Sequence, residues 1–192
     1  MRLWMIVLLF VWLAACQANG ASPRTIDMYN ASGDMIGTAA LAEQADGVQV
    51  KLELEGLDPG FHGIHVHEYP KCEGPDFKSA GSHFNPEGKE HGLMHPDGSH
   101  LGDLPNVEAD SDGRVEAEVM LNDATLLEGK KSILRGDGTS LVIHSDQDDG
   151  VSQPGGDAGE RIACGEIKAT GKKESMESPS DPTQLNGEEE EE

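Results

Sequence analysis

Val48-Gln49-Val50-Lys51-Leu52-Glu53-Leu54-Glu55 alternates apolar and polar side chains without a break. A period of two puts Val48, Val50, Leu52 and Leu54 on one face of a strand and the polar residues on the other, so one face is buried and one is wet. Asp46-Gly47 in front of it is a hairpin signal. Upstream, Thr25-Ile26-Asp27-Met28-Tyr29 and residues 36–41 read as strands separated by the turn Ser32-Gly33-Asp34. Downstream, Leu57-Asp58-Pro59-Gly60 turns the chain into a strand over residues 61–68. Val107-Glu108-Ala109 is a short edge, residues 114–121 alternate after Asp112-Gly113, and Leu141-Val142-Ile143-His144 follows Asp137-Gly138. Residues 161–168 close the series. Eight short strands with almost no helical periodicity indicate an all-β fold, an eight-stranded antiparallel Greek-key barrel or sandwich. Two long functional loops, residues 69–103 and 145–160, interrupt it. Aromatic content is 4%, so the core must rely on Val, Leu, Ile and Ala.

Seven of the eight histidines lie between positions 61 and 103: His62, His65, His67, His83, His91, His95 and His100, followed by Asp103. His144 is the eighth. Imidazoles with a carboxylate suit zinc or copper, and the lack of clustered carboxylates argues against calcium or magnesium. Parity divides the first three. His62 shares a face with Ile64 and Val66 and is assigned to the core as a hydrogen-bonded structural residue, whereas His65 and His67 share the other face as a pair of ligands. Residues 69–103 lose periodicity and fill with Gly, Pro, His and Asp, so their order needs a source other than an apolar core. His83, His91, His100 and Asp103 can pin this loop to a metal, and Cys72 can staple its start. His91 and His95 are four residues apart, but Gly92 stands where a zinc-protease helix needs glutamate and Pro96 follows. His95 is left as a surface residue.

The formal net charge of −22 excludes a basic nucleic-acid binder and disfavours attraction to anionic headgroups. Arg2 and the apolar run over residues 3–15 are too short for a comfortable membrane span and read as an export signal. Leu13-Ala14-Ala15-Cys16 resembles the lipobox of bacterial lipoproteins. The resemblance implies a signal over residues 1–16 ending at a lipidated Cys16, a tether over 17–24, a domain over 25–171 and an extracytoplasmic protein anchored to the cell membrane. An ordinary signal peptide with an incidental cysteine is the alternative. With Cys16 spent on lipid, Cys72 and Cys164 are left to form a disulfide in an oxidising compartment, or to stand as two buried thiols. By the chain-entropy estimate such a bridge contributes roughly 4 kcal/mol at most. Residues 172–192, ending in five glutamates, have the composition of a disordered acidic tail.

Longer motifs carry a family resemblance. Gly60-Phe61-His62-Gly63-Ile64-His65-Val66-His67-Glu68, Ala80-Gly81-Ser82-His83-Phe84-Asn85-Pro86, His91, and His100-Leu101-Gly102-Asp103-Leu104-Pro105-Asn106 stand in one order with Leu141-Val142-Ile143-His144 and Gly156-Asp157-Ala158-Gly159-Glu160-Arg161-Ile162-Ala163-Cys164-Gly165. Over about residues 25–168 this resembles a copper,zinc superoxide dismutase. The resemblance implies copper held by His65, His67, His83 and His144, and zinc held by His83, His91, His100 and Asp103, with His83 shared. It implies that Asp148 accepts hydrogen bonds from one ligand of each metal, His65 and His91. It also implies an Arg161 that guards the copper channel and holds the superoxide anion, where the bland alternative is an arginine that ties down a loop. The implied reaction is conversion of superoxide to dioxygen and hydrogen peroxide at a copper that is alternately reduced and reoxidised, beside a structural zinc. A catalytically inactive, copper-buffering protein on the same fold is the competing reading. The presence of all four histidines and Arg161 argues against it. The oligomeric state stays open in the sequence. One departure from the family is that residues 145–160 hold no lysine but carry Asp146, Asp148, Asp149, Asp157 and Glu160. Steering of an anion then rests on Arg161 and on Lys71, Lys78 or Lys89.

Overall fold

The computed structural model describes residues 21–169; the leader with Cys16, residues 17–20 of the tether, and the tail from residue 170 lie outside the described residues. The described residues form nine strands and one 3-10 turn: β1 (Arg24–Asn30), β2 (Met35–Gln44), β3 (Gly47–Leu54), β4 (Gly60–His62), β5 (Ile64–His67), the turn Lys78–Ala80, β6 (Val107–Ala109), β7 (Val115–Asn122), β8 (Gly138–His144) and β9 (Arg161–Lys168). All the pairings are antiparallel.

The strand order β5-β8-β9-β1-β2-β3-β7 shows how the chain winds. After the β1-β2-β3 meander it crosses to the far edge for β5, returns to β7 beside β3, and crosses again to β8 beside β5. The separate pair β4-β6 spans the remaining gap, since β4 continues into β5 and β6 leads through the Asp110–Arg114 turn into β7.

Alternation in β3 is realised as read: Val48, Val50, Leu52 and Leu54 are buried and Lys51 and Glu53 are exposed. They join one core with Met28, Leu41, Ile64, Val66, Leu121, Leu141 and Ile143. Two boundaries differ from the sequence reading. The second strand runs to Gln44 because its hairpin pairs as far as Gln44 with Gly47, leaving only Ala45 and Asp46 to turn. The expected strand over residues 61–68 is split at Gly63, whose amide donates to the Asp146 carbonyl and whose carbonyl accepts from the His144 amide. That interruption turns eight expected strands into nine.

The Cys72–Cys164 bridge is formed, with Cα atoms 5.6 Å apart. It joins the first long loop to β9 within a small second cluster containing Phe77, Ala80 and Val142. The loop is thereby anchored over β8 and β9, next to the strand that carries His65 and His67.

Candidate metal centre

His65 and His67 project from β5 away from the core that takes Ile64 and Val66, and both are fully buried beneath the loops. The first long loop reaches them through the main chain. Val66 donates to Gly102 at 2.8 Å, Phe84 donates to Val66 at 2.7 Å, and Gly102 donates to Phe84 at 2.8 Å. These bonds set His83 beside His67 and Asp103 beside His65 as bridge partners. A Cβ on Gly102 would overlap the Val66 carbonyl, so the approach depends on glycine. His144 ends β8, where a register shift sets it opposite Arg161. His62 lies on the core side, 2% exposed, with its ring nitrogens 2.8 and 2.7 Å from the carbonyls of His144 and Asp58. It props the backbone of His144 without joining the cluster. His95 stands outside the cluster, accepting from the Asp97 amide at 3.3 Å.

Two donor groups adjoin. One ligand atom each from His65, His67, His83 and His144 lie within 4.8 Å of one another, and the same holds for His65, His83, His91 and Asp103. His100, expected in the second set, borders it: its Nδ1 is 3.3 Å from Asp103 Oδ1 and 3.4 Å from His83 Nδ1. His83 belongs to both groups, with Nδ1 2.9 Å from Asp103 Oδ1. Its Nε2 is then the atom left for His65, His67 and His144.

The remaining hydrogen bonds fix which nitrogen each ring can offer. His67 Nδ1 donates to the Gly81 carbonyl at 2.9 Å, and His144 Nδ1 lies 3.4 Å from the Gly159 carbonyl. Asp148 bridges two rings, with Oδ2 2.7 Å from His65 Nε2 and Oδ1 3.1 Å from His91 Nε2. The opposite nitrogens, His65 Nδ1, His67 Nε2, His91 Nδ1 and His144 Nε2, are buried without a hydrogen-bond partner; His91 Nδ1 lies 3.1 Å from Asp103 Oδ2 without making a bond to it. Buried polar atoms are rarely left so. Unpartnered ring nitrogens gathered in two adjoining groups in this way fit metal ions.

Charge divides the site. Burial holds His67 well below the usual imidazole range, His83 down to about 4 and His144 down to about 3, so these rings are neutral donors. Burial would also lower His91, but the adjacent Asp103 carboxylate and the hydrogen bond to Asp148 overcome it and raise the ring to about 9. Both carboxyls are favoured as carboxylates: burial opposes this, and the neighbouring rings of His100, His83 and His91 at Asp103, and the bonds from His65 and His91 to Asp148, prevail. The all-imidazole half suits copper, and the half with a carboxylate suits zinc.

Arg161 is half-buried and donates from Nη1 to the Phe77 carbonyl at 2.8 Å and from Nη2 to the Gly81 carbonyl at 2.7 Å. It does tie down the loop. The Gly81 carbonyl that it grips is also the acceptor of His67, which links the guanidinium to the donor set. Among the lysines expected to assist, Lys78 is paired with Asp76 at 2.6 Å and Lys89 donates to the Asp97 carbonyl at 2.9 Å.

Two residues of the site carried no role in the sequence reading. Asn106 grips the backbone of Asp148 at both ends, accepting from its amide at 2.9 Å and donating to its carbonyl at 2.8 Å. Gly156 has φ +67°, and a Cβ there would overlap the Asp148 carboxylate. The one sequence signal for them is position, since Asn106 follows Asp103 closely and Gly156 lies in the second loop.

Two adjoining donor groups, with the imidazoles of His65 and His83 common to both, define a protein that can hold two transition metals side by side on the outer wall of a β-barrel. Residues 35–167 match the copper/zinc superoxide dismutase family. The chain is 48% identical over 144 residues to a copper-zinc superoxide dismutase of Aquifex aeolicus, covering 74% of this chain and 85% of that one. Among solved structures it resembles a superoxide dismutase-like protein from Bacillus subtilis, with TM-score 0.72, 37% identity and coverage of 74% of this chain and 97% of that one. It also resembles the Cu/Zn superoxide dismutase of Brucella abortus, with TM-score 0.64, 32% identity and coverage of 77% and 100%. The chain therefore belongs to the copper/zinc superoxide dismutase family, and copper and zinc are the cofactors its donor groups suit.

Asp148 is the carboxylate common to both halves. Asp148→Ala should lower metal affinity by about 10–100-fold, the usual loss when a ligand's outer partner is removed, with the folded barrel retained. Titration of the full chain with zinc against a chelator checks this, and an affinity within twofold of wild type would count against the bridging role.

Proposed function

We propose that this chain is a working superoxide dismutase in which His65, His67, His83 and His144 hold copper while His83, His91, His100 and Asp103 hold zinc. The observation that carries the reading is that, of the two rings common to both donor groups, His65 commits Nε2 to Asp148 whereas His83 turns Nδ1 to Asp103 of one group and leaves Nε2 for the other. Copper held there would supply one-electron redox chemistry toward superoxide, while zinc, without redox chemistry, would supply fixed charge.

The protein's own residues supply direction and protons. Asp148 holds the rings of His65 and His91 by their outer nitrogens, and the Gly81 carbonyl does the same for His67. His83 Nε2 is the atom at which a proton can be held beside the reacting oxygen. Arg161, opposite His144 and with its fork fixed by two carbonyls, offers its remaining N–H groups to a small anion. Its immobilisation keeps the cation next to the donor set.

An envelope location, anchored through Cys16, is part of the same reading. The export-type leader and the Cys72–Cys164 bridge support it, since disulfides persist in oxidising compartments.

His144→Ala should abolish copper binding and reduce superoxide consumption to background while zinc stays bound, measured as metals per chain alongside turnover. Retained turnover would mean that the copper assignment is wrong. With Lys78 and Lys89 engaged locally and no lysine in residues 145–160, kcat/KM should fall less than about twofold between 0.01 and 0.15 M ionic strength; a steep decline would reveal long-range steering that these charges do not provide. Cys16→Ser should move the protein from the membrane to the soluble fraction of cells, and an unchanged distribution would refute the anchor.

A further inference from the structure

We infer that Gln153 is a positioning residue for the zinc side of the centre, acting through the main chain of His91. Its Oε1 accepts the His91 amide at 2.8 Å, and its Nε2 donates to the His91 carbonyl at 2.9 Å and to the Val151 carbonyl at 3.2 Å. A carboxamide carries an acceptor and two donors on one planar end, so it can satisfy both peptide poles of a single residue.

His91 has need of such a partner. It is fully buried but belongs to no strand, so no ladder bond fixes its peptide. Its ring is committed on both sides, with Nε2 to Asp148 and Nδ1 facing Asp103. The direction of that ring depends on where its peptide sits, and Gln153 sets the peptide.

The contact mirrors the one made by Asn106. Asn106, at the end of the first loop, grips the peptide of Asp148 in the second; Gln153, in the second loop, grips the peptide of His91 in the first. The two gripped residues bond to each other through His91 Nε2 and Asp148 Oδ1. A closed circuit of side chain and main chain thus joins the loops. The segment between Asp148 and Gln153 is itself stiffened, because Asp149 accepts from the amides of Val151 and Ser152 and from the Ser152 hydroxyl.

Gln153 is exposed although its carboxamide reaches the buried peptide, so its two bonds fall at the lower end of hydrogen-bond contributions. Their loss should change an opening equilibrium about fivefold. The metal arm of the test rests on His91 as a zinc ligand; the exchange arm does not.

The experiment compares the full chain, loaded with copper and zinc, as wild type, Gln153→Met, Gln153→Glu and the same-loop control Val151→Ala. Hydrogen exchange at the His91 amide should be about fivefold faster in Gln153→Met, intermediate in Gln153→Glu, which keeps an acceptor and loses the donor, and unchanged in Val151→Ala. The Val142 amide in β8 should not change in any of them. Zinc release to a chromogenic chelator should accelerate to the same extent, with copper retained. Exchange at His91 within twofold of wild type, or equal acceleration at Val142, would overturn the positioning role. Faster exchange with unaltered zinc release would uphold that role and instead refute His91 as a zinc ligand.

Discussion

Burying an imidazole nitrogen that has no proton partner is unfavourable, and four such nitrogens lie here in two adjoining donor groups. Everything around them serves to hold that arrangement. Rings free to rotate would turn their lone pairs toward water, so each is fastened by its other nitrogen or by its peptide. For His67 the fastener is a carbonyl, for His65 and His91 a shared carboxylate. Desolvation then keeps His67, His83 and His144 neutral, which is the state a metal requires. Carboxylates occur where the second charge is wanted, beside His91 and His100.

The barrel and the loops divide this task by what each controls well. A strand fixes the direction of alternate side chains, which is why His65 and His67 are aimed together while Ile64 and Val66 fill the core behind them. A loop cannot fix direction unaided, and residues 69–106 acquire it from the sheet through the Val66, Phe84 and Gly102 bonds and through the disulfide to β9. The Gly81 carbonyl shows how closely structure and chemistry are joined. By accepting from both His67 and Arg161 it fixes a ring nitrogen and a cation relative to one another.

What could be read from the sequence follows the same division. Alternation revealed the strands, and parity separated His62 from His65 and His67 because strand periodicity acts on side-chain identity. The histidines of the loop could be grouped because their residue type carries the chemistry. Acceptors supplied by the main chain have no such signature. Nothing in the letters shows that Gly81 would serve His67 and Arg161, that Gly63 would exchange bonds with Asp146 and His144, or that Asn106 and Gln153 would hold peptides rather than ligands. The split of residues 61–68 arises from the same blindness: periodicity predicts a continuous strand, and a long-range main-chain contact interrupts it.

The acidity of the chain poses a different question, since an anion must approach a molecule with net charge −22. Distance resolves much of it. Charges farther apart than about 8 Å in physiological salt are largely screened, so the total matters less than the groups lining the last few ångströms. There the second loop's carboxylates are turned to local uses: Asp148 is buried against two imidazoles, and Asp149 binds the amides of its own turn. Arg161 acts in the opposite sense, with its charge half-buried and immobile beside His144. A fixed cation at short range can hold an anion that a remote negative field only weakly repels, so the sign of the whole surface does not by itself decide whether an anion can reach the donor groups.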